Sequence, residues 1–516
     1  MRRLSALLAA LCLLLGLAGC GEDPPEPSGT PEPSPTFSPA PAPTPAPARF
    51  ALAYDPNAPL DPFSGDSQVN RELIGLVWQG LYELDNDFRA RPVLAQSSRV
   101  SGDGLTWTFS LAEGTFFSDG TPLTADHAAA ALNAARTSPV YAARLSGVTG
   151  VSASEGAVTV TLAAPNGNLP ALLDVPIALA AEGEPAPLGT GYYRVEREGE
   201  SGLRLGINPF HFAATLPYTE IPLVPVTSAD ERAAAFNTGR VSAAVTDYTG
   251  AYALGYSGSF ATEDCPTTDL IYIGFRTTDG PCRDPAVRQA AARVLDRETA
   301  AAGLLAGHAL ASVLPVSPRS EEYSPSAAER LAYDPDAAAT LLDGAGYALN
   351  EEDGLRYAGR SPLALTLLVN SDSEAKQGLA GLLAGELEEL GVTVTVDILP
   401  WAEYLAALSA GRFDLYLGET VLTGDFDLSA LLAGPLNYGG FQSAELSALL
   451  AARRAARGEE RLAAASALWE GFVEEVPVAP VCFKNRSLLV RWGMASNLHP
   501  TRADPFNRIE EWTALP

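Results

Sequence analysis

The sequence predicts an α/β protein built from two or three lobes, and three observations support this fold class. The chain has 516 residues, which is longer than a single hydrophobic core usually grows. Strand and helix patterns alternate regularly between residues 363 and 418, as in a βαβαβ unit with parallel strands. Elsewhere, short strand patterns are separated by Gly, Asp and Pro turns, which predicts further mixed sheets.

The N-terminal residues predict an exported protein that is attached to a membrane. Two arginines precede an apolar run that ends at Gly19, and this run is shorter than the roughly 20 residues that a membrane-spanning helix needs. We therefore interpret residues 1–19 as a cleaved signal peptide. The sequence Leu-Ala-Gly-Cys that ends at Cys20 resembles the bacterial lipobox, which implies that Cys20 becomes the lipidated first residue of the mature chain. Residues 20–48 are rich in proline and have too few apolar residues for a core, which predicts a lipid anchor followed by an extended tether.

The net charge of the chain excludes some classes of binding partner. The formal net charge is −28, and Lys376 and Lys484 are the only lysines. A surface this acidic repels nucleic acid and anionic lipid headgroups. We therefore expect no nucleic-acid partner and contact with the membrane through the lipid anchor only. The export signal and the anchor predict a location on the extracytoplasmic face of the cell membrane, and we expect a monomer.

Three cysteines remain in the exported part: Cys265, Cys282 and Cys482. An oxidising compartment permits a disulfide. However, a predicted strand from Asp269 to Phe275 would hold its own ends roughly 20 Å apart, beyond the ~7 Å limit between bridged alpha carbons, which disfavours the first pair. Cys482 would remain as a partner for either one. The default prediction is three free side chains that act as small apolar groups.

The residues between 49 and 177 carry strand and helix signals in close succession. Strands are predicted at residues 50–54, 106–111, 148–152 and 158–162, the last two as a hairpin. Apolar residues at helical spacing, among them Leu73, Val77 and Leu81, predict a helix between residues 70 and 84. Thr124 precedes an alanine-rich segment and is predicted to cap a helix that runs to about Arg136.

The later residues carry the clearest pattern. Strands are predicted at 192–196, 202–208, 221–226 and 241–245, with a helix at 229–238. The βαβαβ unit follows, with strands at 363–369, 392–398 and 413–418 and helices at 373–390 and 401–410. In parallel sheets of this kind, ligands bind outside the carboxyl ends of the strands.

Motifs for catalysis are missing from the sequence. Neither lysine follows a glycine, as a phosphate-binding loop requires, and the four histidines are too scattered for a His-Glu-x-x-His zinc helix. No serine lies in a Gly-x-Ser-x-Gly elbow. We therefore expect no enzyme, no cofactor and no metal site.

Several segments, taken as a set, resemble the extracytoplasmic solute-binding proteins of ABC importers, in the peptide and nickel-binding family. The matching segments are Leu60-Asp61-Pro62, Gly80-Leu81-Tyr82, Asp103-Gly104-Leu105-Thr106-Trp107, Asp119-Gly120-Thr121-Pro122, Leu188-Gly189-Thr190-Gly191, Asp284-x-x-Val287-Arg288 and Tyr333-Asp334-Pro335. Two positions depart from the family pattern: Arg276 stands where asparagine is usual, and His127 stands where an acid is common.

The resemblance implies a periplasmic-binding-protein fold, with two large lobes of mixed sheets joined by a hinge of two segments and a small lobe inserted in the first. We place the crossings near Asp269 and Lys484. The first lobe then comprises residues 49–69, 178–268 and 486–516. The inserted lobe comprises residues 70–177, and the second lobe comprises residues 269–485.

The ligand site is predicted at Thr423-Gly424-Asp425. This segment follows the strand at 413–418 at its carboxyl end, and it resembles the Trp-x-Gly-Asp segment whose aspartate, in peptide-binding members, holds the α-ammonium of the ligand. The match has departures, since Leu422 replaces the tryptophan and two extra residues precede the aspartate. The alternative role for Asp425 or Asp427 is to cap the following helix.

Trp401 matches a family position at which an aromatic side chain lines the pocket, and a buried core tryptophan is the alternative. The resemblance as a whole implies a receptor that closes its lobes around a short peptide and delivers it to the transmembrane subunits of an ABC permease. Two other functions stay open. One is the same fold with a non-peptide solute such as a metal chelate, and the other is a surface sensor that takes no part in transport.

Overall fold

The computed structural model describes residues 49–200, 202–211, 215–249 and 255–515. The predicted signal peptide, Cys20 and the tether lie outside the described residues, so these assignments stay predictions. Among the described residues, no helix combines the length and the apolar character that a membrane crossing requires.

The first sheet has four strands and forms around the start of the described chain. Its strands follow the order β1-β10-β9-β8, with β1 parallel to β10 and the other pairs antiparallel. The bounds are β1 (Leu52–Tyr54), β8 (Tyr193–Glu198), β9 (Gly202–Ile207) and β10 (Glu220–Pro225). The helix α4 (Ala229–Asn237) follows, and Ser228 caps it by accepting a hydrogen bond from the backbone N–H of Glu231. These strands and this helix were predicted to within two residues.

A second four-stranded sheet lies in the region between residues 95 and 162. Its order is β4-β5-β7-β6, all antiparallel, with β4 (Ala95–Val100), β5 (Thr106–Leu111), β6 (Val148–Ser154) and β7 (Ala157–Leu162). The helix α3 (Ala125–Ala135) packs on it. Thr124 accepts from the backbone of His127, whose ring Nδ1 accepts in turn from the backbone N–H of Thr124. His127 therefore completes a capping box, in which its ring nitrogen takes the hydrogen-bonding role that an acid has elsewhere.

The helix predicted between residues 70 and 84 is wrong. The chain there forms two short helices, α1 (Gln68–Arg71) and α2 (Ile74–Val77), and then the strand β2 (Tyr82–Leu84), which pairs with β3 (Ala90–Pro92). Gly80 lies so close to the chain at residues 173–175 that a Cβ there would lie 3.0 Å from the carbonyl oxygens of Leu173 and Val175. The apolar residues of the pattern are buried as expected, but an extended backbone buries Leu81 and Leu84.

The largest sheet has seven strands, and two long strands run through its centre. Its order is β11-β20-β12-β19-β17-β18, and β13 pairs with β20. The bounds are β11 (Ala243–Thr246), β12 (Phe260–Phe275), β13 (Ala309–Ala311), β17 (Ala364–Asn370), β18 (Thr393–Leu399), β19 (Leu415–Val421) and β20 (Val478–Arg491). With the helices α9 (Glu374–Glu389) and α10 (Trp401–Ser409), the three strands β17, β18 and β19 form the predicted parallel βαβαβ unit.

The strands β12 and β20 contain both predicted crossing points. They pair antiparallel, and their register shifts between Pro266 and Leu270, so the ladder is interrupted where the first crossing is expected. The lobe boundaries given above stay a prediction.

The remaining helices and short strands lie outside the three sheets described above. They are α5 (Pro285–Arg293), α6 (Arg297–Gly303), α7 (Pro325–Glu329), α8 (Pro335–Gly344), α11 (Ser429–Leu432), α12 (Ala444–Ala455) and α13 (Gly458–Glu475), with the strands β14 (Ala348–Asn350), β15 (Leu355–Ala358), β16 (Ser361–Pro362), β21 (Ala495–Ser496) and β22 (Thr513–Ala514). Short 3₁₀ turns occur at Leu169–Leu172, Pro281–Arg283 and Ile509–Glu511.

The three cysteines of the described chain are buried and free, in agreement with the default prediction. Burial raises the pKa of Cys265 and of Cys482 to about 12. At neutral pH these thiols are protonated, and they pack as small apolar groups.

Candidate functional site

A cavity of about 600 Å³ lies beside the two long strands of the largest sheet. It is bounded by residues 68–83, 140–144, 174–176 and 500–510, by Val245 and Cys265, by Val421 at the carboxyl end of β19, and by Arg486 and Leu488 of β20. Its volume falls within the range of small-molecule sites. A second cavity of about 640 Å³ lies between residues 164–165 and the region of α11 and α12. We favour the first cavity as the site because it adjoins the carboxyl end of β19 and both β12 and β20.

Part of the cavity wall is an arginine cluster around Asp174. The Asp174 side chain is only 4% exposed and accepts from two arginines at once. Arg502 Nη2 lies 2.9 Å from Asp174 Oδ2, and Arg144 Nη1 donates to Oδ1. One carboxylate is therefore shared by two guanidinium groups, which leaves this cluster with a net positive charge.

Two further arginines of this wall have no carboxylate partner among the described residues. Arg71 donates from Nη2 to Gln68, and its Nε is buried without a hydrogen bond. The side chain of Arg486 forms no hydrogen bond and no ion pair within the described chain. Burial and the charge of Arg486 both lower the pKa of Arg71. The charge of the nearby Glu72 acts on Arg71 in the opposite direction, but Glu72 forms its buried ion pair with Arg232, at 3.0 and 2.5 Å.

Acidic side chains line another part of the same cavity. Glu83, Asp504 and Glu510 all line it and take part in no ion pair within the described chain. Burial raises the pKa of Asp504 to about 7, and the charges of Glu83 and Glu510 add to this effect. Burial and Glu510 likewise raise the pKa of Glu83. The cavity thus has a cationic region and a separate group of three acids, of which Asp504 keeps its proton up to about pH 7.

The structure places the predicted ligand segment away from this cavity. Thr423, Gly424 and Asp425 follow β19 as expected, but Val421 is the residue of this stretch that lines the cavity. Asp425 is 5% exposed. Its Oδ1 accepts from Thr423 Oγ1 at 2.6 Å, and its Oδ2 accepts from Asn166 Nδ2 at 3.0 Å. The contact of Asp425 with a ligand stays a prediction, and in this structure its carboxylate is satisfied by protein groups.

The positions of the residues next to Asp425 in the sequence are also determined by packing. A Cβ on Gly424 would lie 2.4 Å from Leu84 Cδ1 and 2.7 Å from the carbonyl oxygen of Ala171, so the close approach of these chains requires glycine. Asp425 caps no helix. Asp427 is not the N-cap of α11 either, since that position is Leu428, which forms no side-chain cap hydrogen bond. Asp427 Oδ1 accepts from the backbone N–H of Ser429, the first residue of α11, at 3.2 Å.

A buried charge network that the sequence did not reveal holds this segment. Arg453 Nη2 donates to the carbonyl oxygen of Asp425 at 2.8 Å, and Arg453 Nη1 donates to that of Phe426 at 3.1 Å. The Nε atoms of Arg453 and Arg461 each lie 2.6 Å from a carboxylate oxygen of Glu322. Glu322 is far from both arginines in sequence, and no local motif marks the three residues.

Trp401 is placed on the surface. It begins α10, is 52% exposed and stacks on Tyr404 with ring centroids 5.7 Å apart. It is not part of the cavity wall, and it is not the buried core residue that was the alternative. A role in ligand contact stays a prediction.

Both lysines of the chain form ion pairs with the same carboxylate, that of Glu419 in β19. Lys484 Nζ lies 2.8 Å from Glu419 Oε1 and 2.5 Å from Asp247 Oδ2, and Lys376 Nζ lies 3.0 Å from Glu419 Oε2. Burial raises the pKa of Glu419, but the charges of the two lysines outweigh it and leave the pKa lowered. The network connects the end of β11 to β20 and β19. Nothing in the sequence indicated this network except that lysine is rare in it.

In the described part of the chain, no group of three or more His, Cys, Asp or Glu side chains is arranged to hold a metal ion.

Comparisons with known proteins converge on one family. The model of the bacterial extracellular solute-binding proteins, family 5 Middle, matches residues 89–437. The glutathione-binding protein GsiB of Salmonella typhimurium is 26% identical over 403 residues, which are 72% of this chain and 75% of that protein.

Solved structures show the same fold. The periplasmic murein tripeptide-binding protein MppA, in its unliganded open form, has a TM-score of 0.72 at 20% identity and covers 91% of this chain and 98% of its own. NikA from Brucella suis, in complex with Fe(III)-EDTA, has a TM-score of 0.69 at 20% identity and covers 90% of this chain and 99% of its own. The fold is therefore of the periplasmic-binding-protein type, as the sequence predicted.

Proposed function

The chain belongs to the bacterial extracellular solute-binding proteins of family 5, and on this basis we propose that it is the receptor of an ABC importer that captures a short peptide and delivers it to the permease. The inference that the ligand is a peptide rests on the cavity of about 600 Å³, which combines a cationic and an anionic region. A short peptide is a zwitterion, so its two ends require complementary charges of both signs in one enclosed space.

The named ligands of similar proteins support a short peptide. GsiB is a glutathione-binding protein and MppA a murein tripeptide-binding protein, and a site of this volume suits ligands of that size. Charge-assisted hydrogen bonds in a cavity that excludes water are stronger than neutral ones. The charged groups of the cavity therefore supply affinity for the ends of a peptide without selecting its side chains.

Capture by closure of the lobes is part of the proposal. The strands β12 and β20 connect the first lobe (49–69, 178–268 and 486–516) with the second (269–485), and the inserted lobe comprises 70–177. A ligand that touches both sides stabilises the closed form, and only its differential affinity for that form shifts the equilibrium. Val421 and Arg486 border the same cavity from different strands, as this mechanism requires.

The proposal also includes the place where the protein acts. Residues 1–19 would direct export, Cys20 would carry the lipid, and residues 20–48 would let the folded body move above the membrane. A metabolic label for acyl chains, followed by mass spectrometry of the N-terminal peptide, tests this assignment. An unmodified Cys20 in the mature chain would refute it.

One observation favours a second ligand class, a carboxylate-bearing metal chelate. The NikA structure of the same fold contains Fe(III)-EDTA, and an arginine-rich wall also suits the carboxylates of a chelator. The cavity wall contributes no histidine, so the metal itself would receive no ligand of that type from it.

Native mass spectrometry of the mature protein, purified from cells grown in rich medium, separates these functions. We expect adduct masses that fragment into short peptides. Adducts that contain metal would instead support the chelate. If no peptide copurifies and a tripeptide library does not bind to the protein after its ligands have been removed, the peptide proposal is wrong.

A further inference from the structure

The two unpaired arginines of the cavity differ from the other buried arginines of the described chain. Arg232 pairs with Glu72, Arg453 pairs with Glu322, and Arg288 donates to several backbone carbonyl oxygens at 2.9–3.0 Å. Arg71 and Arg486 have no such partners. Unpaired charge at a half-buried position costs free energy, and fold stability alone gives no reason to retain it.

The setting makes these two side chains available to a ligand. Arg71 is the last residue of α1, and Arg486 lies in β20, so two elements that are distant in sequence bring their guanidinium groups to one cavity. Each charge acts on the other, since Arg486 lowers the pKa of Arg71. Asp269 is within electrostatic range of Arg486 but forms no ion pair with it. The region therefore has an excess of positive charge inside a chain with a net charge of −28.

We infer that Arg71 and Arg486 form a carboxylate subsite, which binds the terminal carboxylate of the captured peptide. The guanidinium group presents a planar pair of N–H donors that matches the two oxygens of a carboxylate. The buried Nε of Arg71, which has no acceptor, is one of the donors that a carboxylate would satisfy. The inference rests on the proposed function, because it assigns one end of the ligand to one part of the same cavity.

The subsite also differs from the position that the sequence predicted for ligand charge. Asp425 was expected to hold the ammonium end, but its carboxylate is buried and bonded to Thr423 and Asn166. Arg486 lies in a strand that crosses between the lobes, so a carboxylate bound there would touch the hinge itself. Binding at this point would couple the charge of the ligand to closure.

The test compares peptides that differ only in the terminal charge. Mature protein freed of its ligands is dialysed against a library of tripeptides with free carboxylates, and separately against the same library as C-terminal amides. We expect the free acids to be retained at least about tenfold better than the amides. Arg486→Gln is expected to abolish this preference, and Arg71→Gln is expected to weaken it. Arg360→Gln serves as the matched control, because Arg360 is exposed, lies outside the cavity and has no ion pair in the described chain.

A second measurement does not depend on peptides. Succinate, compared with sodium chloride at equal ionic strength, is expected to raise the melting temperature of the wild type and of Arg360→Gln but not of Arg486→Gln. Far-UV circular dichroism verifies that each variant is folded, and Arg71→Gln replaces Arg486→Gln as the decisive variant if the latter does not fold.

The outcomes distinguish the inference from the proposed function. If neither library is retained but the succinate effect depends on Arg486, the peptide proposal fails and the carboxylate subsite stands. The inference is overturned if amides bind as well as acids, if the preference for acids survives Arg486→Gln in a folded protein, or if neither library nor succinate shows a response that depends on the arginines.

Discussion

Glu322 is the acid that pairs with both arginines that donate to the backbone of Asp425. Its carboxylate compensates Arg453 and Arg461, each at 2.6 Å, and its backbone oxygen accepts from Trp469 Nε1 at 2.7 Å. The side chains of Glu322, Arg453 and Arg461 are 9%, 2% and 8% exposed. The substitution Glu322→Gln keeps the shape of the side chain but removes the carboxylate charge that pairs with the two guanidinium groups.

The expected cost follows from the burial of this network. Removal of one partner from a buried ion pair usually costs about 3–5 kcal/mol, because the remaining charge stays desolvated. Here the amide introduced at position 322 would accept from one arginine and direct its own N–H groups at the other. We therefore expect Glu322→Gln to lower the free energy of unfolding by about 3–5 kcal/mol, as measured by urea unfolding with tryptophan fluorescence and circular dichroism.

The neighbouring acid provides the control. Glu321 pairs with Arg89 at 3.2 Å, but both side chains are about half exposed, so Glu321→Gln should cost less than about 1 kcal/mol. Because Arg453 also donates to the carbonyl oxygens of Asp425 and Phe426, hydrogen exchange in this segment should accelerate in Glu322→Gln. A loss of stability no larger than that of Glu321→Gln would refute the assignment of this network as the main support of the segment.

Three further substitutions test other parts of the site. The folded chain holds the proton of Asp504 up to about pH 7, whereas the unfolded chain releases it near pH 3.8, so stability should fall as pH rises from about 4 to about 7. Asp504→Asn should remove this loss, and an unchanged pH profile of urea unfolding would contradict it. Lys484→Met leaves Asp247 without its cation and leaves Glu419 paired with Lys376 alone, and both carboxylates are about 30% exposed. We expect a loss of about 2–3 kcal/mol in stability, below the cost for a fully buried pair, and calorimetry that shows no loss would disprove it. Asp425→Ala removes two buried hydrogen bonds and should cost about 1–3 kcal/mol in stability. A large loss of peptide affinity at unchanged stability would instead support direct ligand contact.

Local sequence signals predicted the first sheet and the βαβαβ unit, but they did not predict the helices α12 and α13 or the long strand β20. The strand at 106–111 alternates apolar and polar residues between two turns, and Thr124 carries the hydrogen-bonding group that a helix start needs. These signals involve neighbouring residues, so the rest of the fold is not needed to interpret them. The helix predicted between residues 70 and 84 was wrong, because Gly80 and the chain at 173–175 impose an extended backbone on an apolar pattern that also fits a helix.

The sequence by itself determined the family, the βαβαβ unit and the absence of recognisable catalytic motifs, because each depends on residue types at short spacings. Only the tertiary structure decided where the charges lie. It brought Asn166 to Asp425, 259 residues away, and thereby enclosed the predicted ligand residue. It also brought Arg71 and Arg486 to one cavity, where neither forms an ion pair within the described chain. The physical reason is that burial and charge pairing depend on distances in space, and spacing along the chain does not specify distances between residues hundreds of positions apart.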